Sequence, residues 1–116
     1  MQDLKGINRV ILSGMIKGEI DIGYKASIGK VYNFNLMVYE QFDKNGDVSA
    51  TYNGFFYRVA VFKQDIVSLF VKKLIDRESV VQVEGRLQMK KKLFNDSYKF
   101  FCQIVVCRPS DNVVLL

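Results

Sequence analysis

The feature that most restricts what this chain can fold into is a single change of period. Between Gln64 and Leu74, the apolar residues Ile66, Val67, Phe70 and Leu74 recur at three-to-four spacing, with Asp65, Ser68, Lys72 and Lys73 outward. That is the pattern of an amphipathic helix with one apolar stripe turned to a core. The readable segments on either side alternate with a period of two or are rich in β-branched residues, as strands are. The helix therefore sits inside a run of strands, three before it and two after.

Ile7–Ile16 is the first predicted strand, with Gly14 marking a bend or bulge. The glycines at 18, 23 and 29 make Glu19–Lys30 a long turn or short hairpin. Val31–Gln41 is the second strand, with Tyr32, Phe34, Leu36 and Val38 inward and Asn33 and Asn35 outward. Asn45-Gly46 signals a hairpin tip, because both residues tolerate positive φ. In the third strand, Phe55–Phe62, one face carries Phe55, Tyr57, Val59 and Val61 and the other Phe56, Arg58, Ala60 and Phe62. Two phenyl rings around an arginine suit neither a plain solvent face nor a plain core. A loop or a neighbouring subunit covering that face is the simpler explanation.

Val80–Lys92 is a long fourth strand, with Val81, Val83, Leu87 and Met89 on one face and Gln82, Glu84, Arg86, Gln88 and Lys90 on the wet one. Gly85 lets it bend sharply, as a small barrel requires. Asn95-Asp96-Ser97 is a turn and Tyr98–Val106 the fifth strand. A curved five-stranded sheet with one α-helix between strands three and four is the ordering of an oligonucleotide-binding (OB) barrel, an all-β fold. Other small β-barrels share the same periodicity. With 116 residues the chain has room for one domain, expected over residues 1–108, followed by a short C-terminal end at 109–116 without an acidic tail.

Composition narrows the chemistry. There is no histidine, which removes His-dependent triads and general bases and nearly every mixed-ligand zinc site. No Gly-rich phosphate loop or close carboxylate motif is present, so neither enzymatic activity nor a cofactor or metal is expected. Cys102 and Cys107 cannot form a disulfide scaffold and are expected as free thiols. With no membrane-length apolar run and no secretory signal, the expectation is a soluble, intracellular protein.

The formal charge is +5, and Arg86–Lys99 alone contributes +4 through Arg86, Lys90, Lys91, Lys92 and Lys99 against Asp96. Phe94 and Tyr98 lie within that segment, and Phe100 and Phe101 follow it. Concentrated positive charge beside aromatic rings suits a flexible polyanion whose bases can stack. A solvated lysine-rich hairpin is the plainer alternative.

Three stretches add a family resemblance. Gly6-Ile7-Asn8-Arg9-Val10-Ile11-Leu12-Ser13-Gly14 resembles the opening strand of bacterial single-stranded-DNA-binding proteins. Phe56-Tyr57-Arg58-Val59-Ala60-Val61-Phe62 resembles their third strand, and Val80-Val81-Gln82-Val83-Glu84-Gly85-Arg86-Leu87 their fourth. The likeness runs in order from about Gly6 to Val106. It implies stacking of bases on Phe42, Phe56 and Phe62, on Tyr24 in the first long loop, and on Phe94. Phe42 and Phe56 stand where the family commonly uses Trp, with less stacking area.

It also implies a homotetramer, with Tyr57 at a position often used between subunits, and a cytoplasmic, nucleoid-associated location. Arg58, Arg86, Lys90, Lys91 and Lys92 would neutralise phosphates. The chain ends Pro109-Ser110-Asp111-Asn112-Val113-Val114-Leu115-Leu116, with one acid and an apolar finish, so recruitment of replication or repair enzymes through an acidic tail is not expected. The implied function is sequence-tolerant binding of single-stranded DNA in replication, recombination and repair. A tail-less primosomal replication protein, an RNA binder and a barrel that binds protein or oligosaccharide are the alternatives.

Overall fold

The computed structural model describes residues 5–42 and 51–116, so the expected hairpin tip at Asn45-Gly46 lies outside the described residues. The elements are β1 (Val10–Lys25), β2 (Gly29–Phe42), β3 (Thr51–Val61), α1 (Gln64–Val71), β4 (Val80–Phe94), β5 (Ser97–Val106) and β6 (Asn112–Leu115). The sheet order is β1-β2-β3-β5-β4-β6, and a further β1–β4 pairing closes five of the strands into a ring. Among the described residues only the β3–β5 contact is parallel. This is an OB barrel, with its one helix between β3 and β4.

The alternation expected for β2 holds in the packing: Tyr32, Phe34, Leu36 and Val38 are buried. They meet Val59, Val61, Val81, Val83, Ile104 and Val106 in the barrel interior. The helix plugs one end, with the Phe70 ring 5.2 Å from that of Tyr32 and 5.6 Å from that of Phe34. Closure depends on two close approaches. A Cβ at Gly85 would lie 2.6 Å from the Val105 carbonyl oxygen, and one at Gly14 would collide with the carbonyl of Met37. Both glycines are there because the crossing strands leave no room for a side chain.

Two expectations are corrected and two are sharpened. Of the two readings of residues 19–30 the hairpin holds and the long turn does not, since β1 continues to Lys25 and pairs back with Gly29–Asn33. Gly18, at φ 78°, absorbs a register shift between Lys17 and Asp21, the device of a glycine bulge. The helix ends at Val71 rather than Leu74, because Lys73 turns left-handed at φ 60° and its N–H donates to the Phe70 carbonyl. That turn swings Leu74 out to 59% exposure and puts Ile75 into the core in its place. Leu87 and Met89 follow Val81 and Val83 in register but are exposed, because β4 has by then left the barrel. Finally, the segment 109–116 carries β6, which pairs with Val81–Glu84 of β4 and extends the sheet.

Beyond its contact with β3 at Ile104–Val106, β5 pairs among the described residues only with β4. Met89–Phe94 and Ser97–Cys102 therefore form a two-stranded arm that projects from the barrel. Asn95 and Asp96 both have positive φ, 46° and 65°, as a two-residue type I′ turn needs. At the root of the arm the Asn8 side chain bonds both the N–H and the carbonyl of Leu87, each at 2.8 Å.

The loop between β5 and β6 is tied by Asp111, which is 1% exposed. Its carboxylate accepts the backbone N–H groups of Cys107 at 3.0 Å and Arg108 at 2.8 Å, and faces the Arg108 guanidinium. Burial alone would raise its pKa, but these donors outweigh it and hold the carboxyl below the ordinary 3.8. A lowered native pKa means a stabilisation that is complete above the ordinary value and lost as pH falls through the native one. Asp111→Asn should cost about 1.5–3 kcal/mol at pH 7, with the gap to wild type narrowing as pH falls through the lowered native value, as read by urea denaturation across a pH series.

Candidate nucleic-acid interface

The register carries one outer surface across β3, β5 and β4. Asn35 faces Arg58, Ala60 lies beside Val105, Val105 faces Arg86, and Gln103 faces Gln88. Phe56, Arg58 and Phe62 thus share a surface with Arg86, Gln88 and Lys90, opposite in sense to the buried Val59 and Val61. The two-faced third strand read from sequence is explained by this: Val59 and Val61 fill the barrel from one face, while on the other Phe56, Arg58 and Phe62 stay accessible around the buried Ala60. Phe56 is 60% exposed. It stands six residues from Phe62, about 20 Å along an extended strand.

At the Phe62 end the surface sinks into a groove of about 310 Å³, lined by Lys25, Ile28, Phe62, Arg86, Gln88, Lys90, Val105 and Cys107. Its charged lining is wholly basic. The Lys25 ammonium lies 4.9 Å from the centre of the Phe62 ring. Arg86 Nε is buried without a hydrogen-bond partner among the described residues. A buried donor left unpaired is costly, and an anionic oxygen arriving in the groove would satisfy it. An aromatic wall beside an unpaired guanidinium and two ammonium groups can receive a phosphate and a stacked ring together.

The same surface runs out along the arm. Lys90 and Lys92 continue it from Arg86, and Phe101 lies directly across from Lys90. Near the tip the Phe94 ring, 46% exposed, has the Lys92 ammonium at 5.3 Å and that of Lys99 at 5.6 Å. The three consecutive lysines are divided by strand alternation. Lys91 lies on the reverse face, 3.8 Å over the Tyr98 ring.

The remaining residues named from sequence are placed as follows. Arg58 bonds Asp21 at 2.5 Å and Asn35 at 3.3 Å, so a phosphate there would compete with a carboxylate already seated. Tyr24 is 75% exposed, but on the face of the β1–β2 ribbon opposite to Lys25. Phe42 ends β2, paired with Thr51, and its side chain lies outside the described residues. Tyr57 is half-buried and packs against the barrel core.

Lys25, Gln88, Lys99, Phe101 and Cys107 were not among the site residues expected from sequence, although Lys99 and Phe101 belong to the basic, aromatic segment noted there. Phe101 had a readable signal: a two-residue turn at Asn95-Asp96 fixes the register that sets it opposite Lys90. Lys25 had none, because the glycine bulge concealed the strand that carries it. Among the described residues no group of three His, Cys, Asp or Glu is placed to hold a metal ion. Among the described residues no helix is long and apolar enough to cross a membrane.

No protein-family model matches the chain, and no curated protein matches it. Among solved structures it is similar to one described as Plasmodium falciparum SSB in complex with ssDNA. The two share 26% identity and a TM-score of 0.84, over 99% of each chain. The barrel is therefore an SSB-like OB fold, and this relative is not bacterial.

Proposed function

We propose that the protein binds single-stranded DNA without sequence preference, stacking unpaired bases on phenyl rings while basic side chains neutralise phosphates. The observation that carries the reading is the groove at Phe62, where Lys25, Lys90 and an unpaired Arg86 Nε surround an aromatic wall. The similarity to an SSB in complex with ssDNA supports it from outside the molecule. Every base has a π-face, so stacking needs no sequence code, and a duplex hides those faces. The activity is binding, with no chemical step and no cofactor.

The proposal extends to protection and organisation of single strands in replication, recombination and repair, in a nucleoid-associated cytoplasmic setting. It includes assembly as a homotetramer. The exposed apolar residues Ile11, Val80 and Val114 on neighbouring β1, β4 and β6 support self-association, and a sedimentation mass of one 13.4 kDa chain would contradict it.

Phe62→Ala, and separately Phe56→Ala, should each weaken oligothymidylate binding by roughly 1–3 kcal/mol while leaving the salt dependence nearly unchanged. Retention of full affinity in both variants would remove these rings from the site. Oligouridylate and duplex competitors distinguish DNA strands from RNA and from paired DNA.

A further inference from the structure

The arm has two faces, and the proposed site uses only one. On the reverse, cross-strand pairing sets Met89 against Cys102, Lys91 against Phe100 and Leu93 against Tyr98. These side chains are open to solvent: Phe100 is 63% exposed, Met89 61%, Tyr98 58% and Leu93 57%. An apolar, aromatic face of this extent on a projecting ribbon calls for an occupant.

We propose that this reverse face is a second single-strand contact, on which Tyr98, Phe100 and Lys91 grip the nucleotides that follow those held on the outer face. The inference rests on the single-strand reading and deepens it. Charge selects the ligand. From Arg86 to Lys99 the one acidic residue is Asp96, in the tip turn, and none of the arm's lysines forms an ion pair among the described residues. A second copy docking this face on itself would bring Lys91 toward its counterpart with no carboxylate on the face to offset the repulsion. A polyanion meets that charge favourably, and the Tyr98 and Phe100 rings offer it stacking surfaces.

Continuity points the same way. The outer-face path ends at Phe94 between Lys92 and Lys99, beside a two-residue turn. The arm is two strands wide, about 5 Å between strand axes, so a flexible strand needs little length to pass around its end. Lys91 is already seated over Tyr98 where that strand would arrive.

The test compares wild type with the combined Tyr98→Ala and Phe100→Ala variant, against oligothymidylates of increasing length. About 8 nucleotides is within the range one OB barrel covers, and longer strands reach the reverse face. The variant should bind the short oligomer as wild type does, bind the long ones about 10-fold more weakly, and occlude fewer nucleotides per protomer. Equal affinity at every length would overturn the second contact. So would a lower sedimentation mass of the variant without DNA, which would make the face an interface between copies. If wild type binds no oligomer of any length, the single-strand reading itself fails, and the two failures are told apart. Because the replaced side chains are exposed, an unchanged thermal midpoint is expected and checks that the variant is folded.

Discussion

Combined replacement of Arg86, Lys90 and Lys92 by Gln should flatten the log–log salt dependence of oligothymidylate binding by about 2 units, at about 0.7 per phosphate contact on a single strand. The three lie on one face of β4 at alternate positions, with Gln88 completing the row. Each contact releases condensed counterions, so the loss in affinity is largest in dilute salt and shrinks as salt rises. Arg86 contributes a second effect, because its Nε is a buried donor that an incoming anionic oxygen would satisfy. The measurement is the binding constant across a salt series for wild type and variant. An unchanged slope would place the phosphate path elsewhere. Arg58 is left out of the set because its guanidinium already holds Asp21 and Asn35.

The other large effect concerns closure of the barrel. Gly85→Val should destabilise the fold by about 3 kcal/mol or more, since overpacking of a tight site costs typically 1–3 kcal/mol and a branched side chain here meets backbone. An added Cβ would stand 2.6 Å from the Val105 carbonyl oxygen and 2.9 Å from Ile104 Cγ2. The first is main chain in a paired strand and cannot rotate aside. Gly85 also marks where β4 passes from the part paired to β1 to the part paired to β5. The variant should therefore lose binding along with stability. Urea denaturation reads the first loss, and a midpoint equal to that of wild type would show that the crossing has slack.

How much of this was legible in the sequence follows from which interactions are local. The alternation along β2, the unlike faces of β3 and the turn at Asn95-Asp96 depend on neighbours a few residues away, and they read correctly. Gly85 stood out as a glycine amid β-branched residues, and its observed use is a close approach to the Val105 backbone. The end of α1 was misread since Leu74 and Ile75 are both apolar, and only the left-handed turn at Lys73 decides which is buried. The extent of β1 was hidden by three glycines that resemble a loop when one of them is a bulge. β6 is four residues long and stable through its partner β4, so its own pattern carried little signal.

The candidate site was legible in its residue types and less so in its arrangement. The excess charge and the rings of Arg86–Phe101 stood out, and so did Phe56 and Phe62. Their division between two faces of the arm follows from strand parity. The groove itself needs the closed ring, because Lys25, Phe62 and Arg86 come from β1, the end of β3 and β4. The Asp21–Arg58 pair spans 37 residues and a bulge, beyond what spacing can show.

The central claim is that an open, basic, aromatic surface on this barrel takes unpaired nucleotides. Fluorescence anisotropy of a dye-labelled oligothymidylate, titrated with the protein at two salt concentrations, tests it most directly when unlabelled duplex of the same length is the competitor. The account predicts saturable binding that weakens as salt rises and is poorly displaced by the duplex. No binding at low salt, or equal displacement by duplex and single strand, would contradict it.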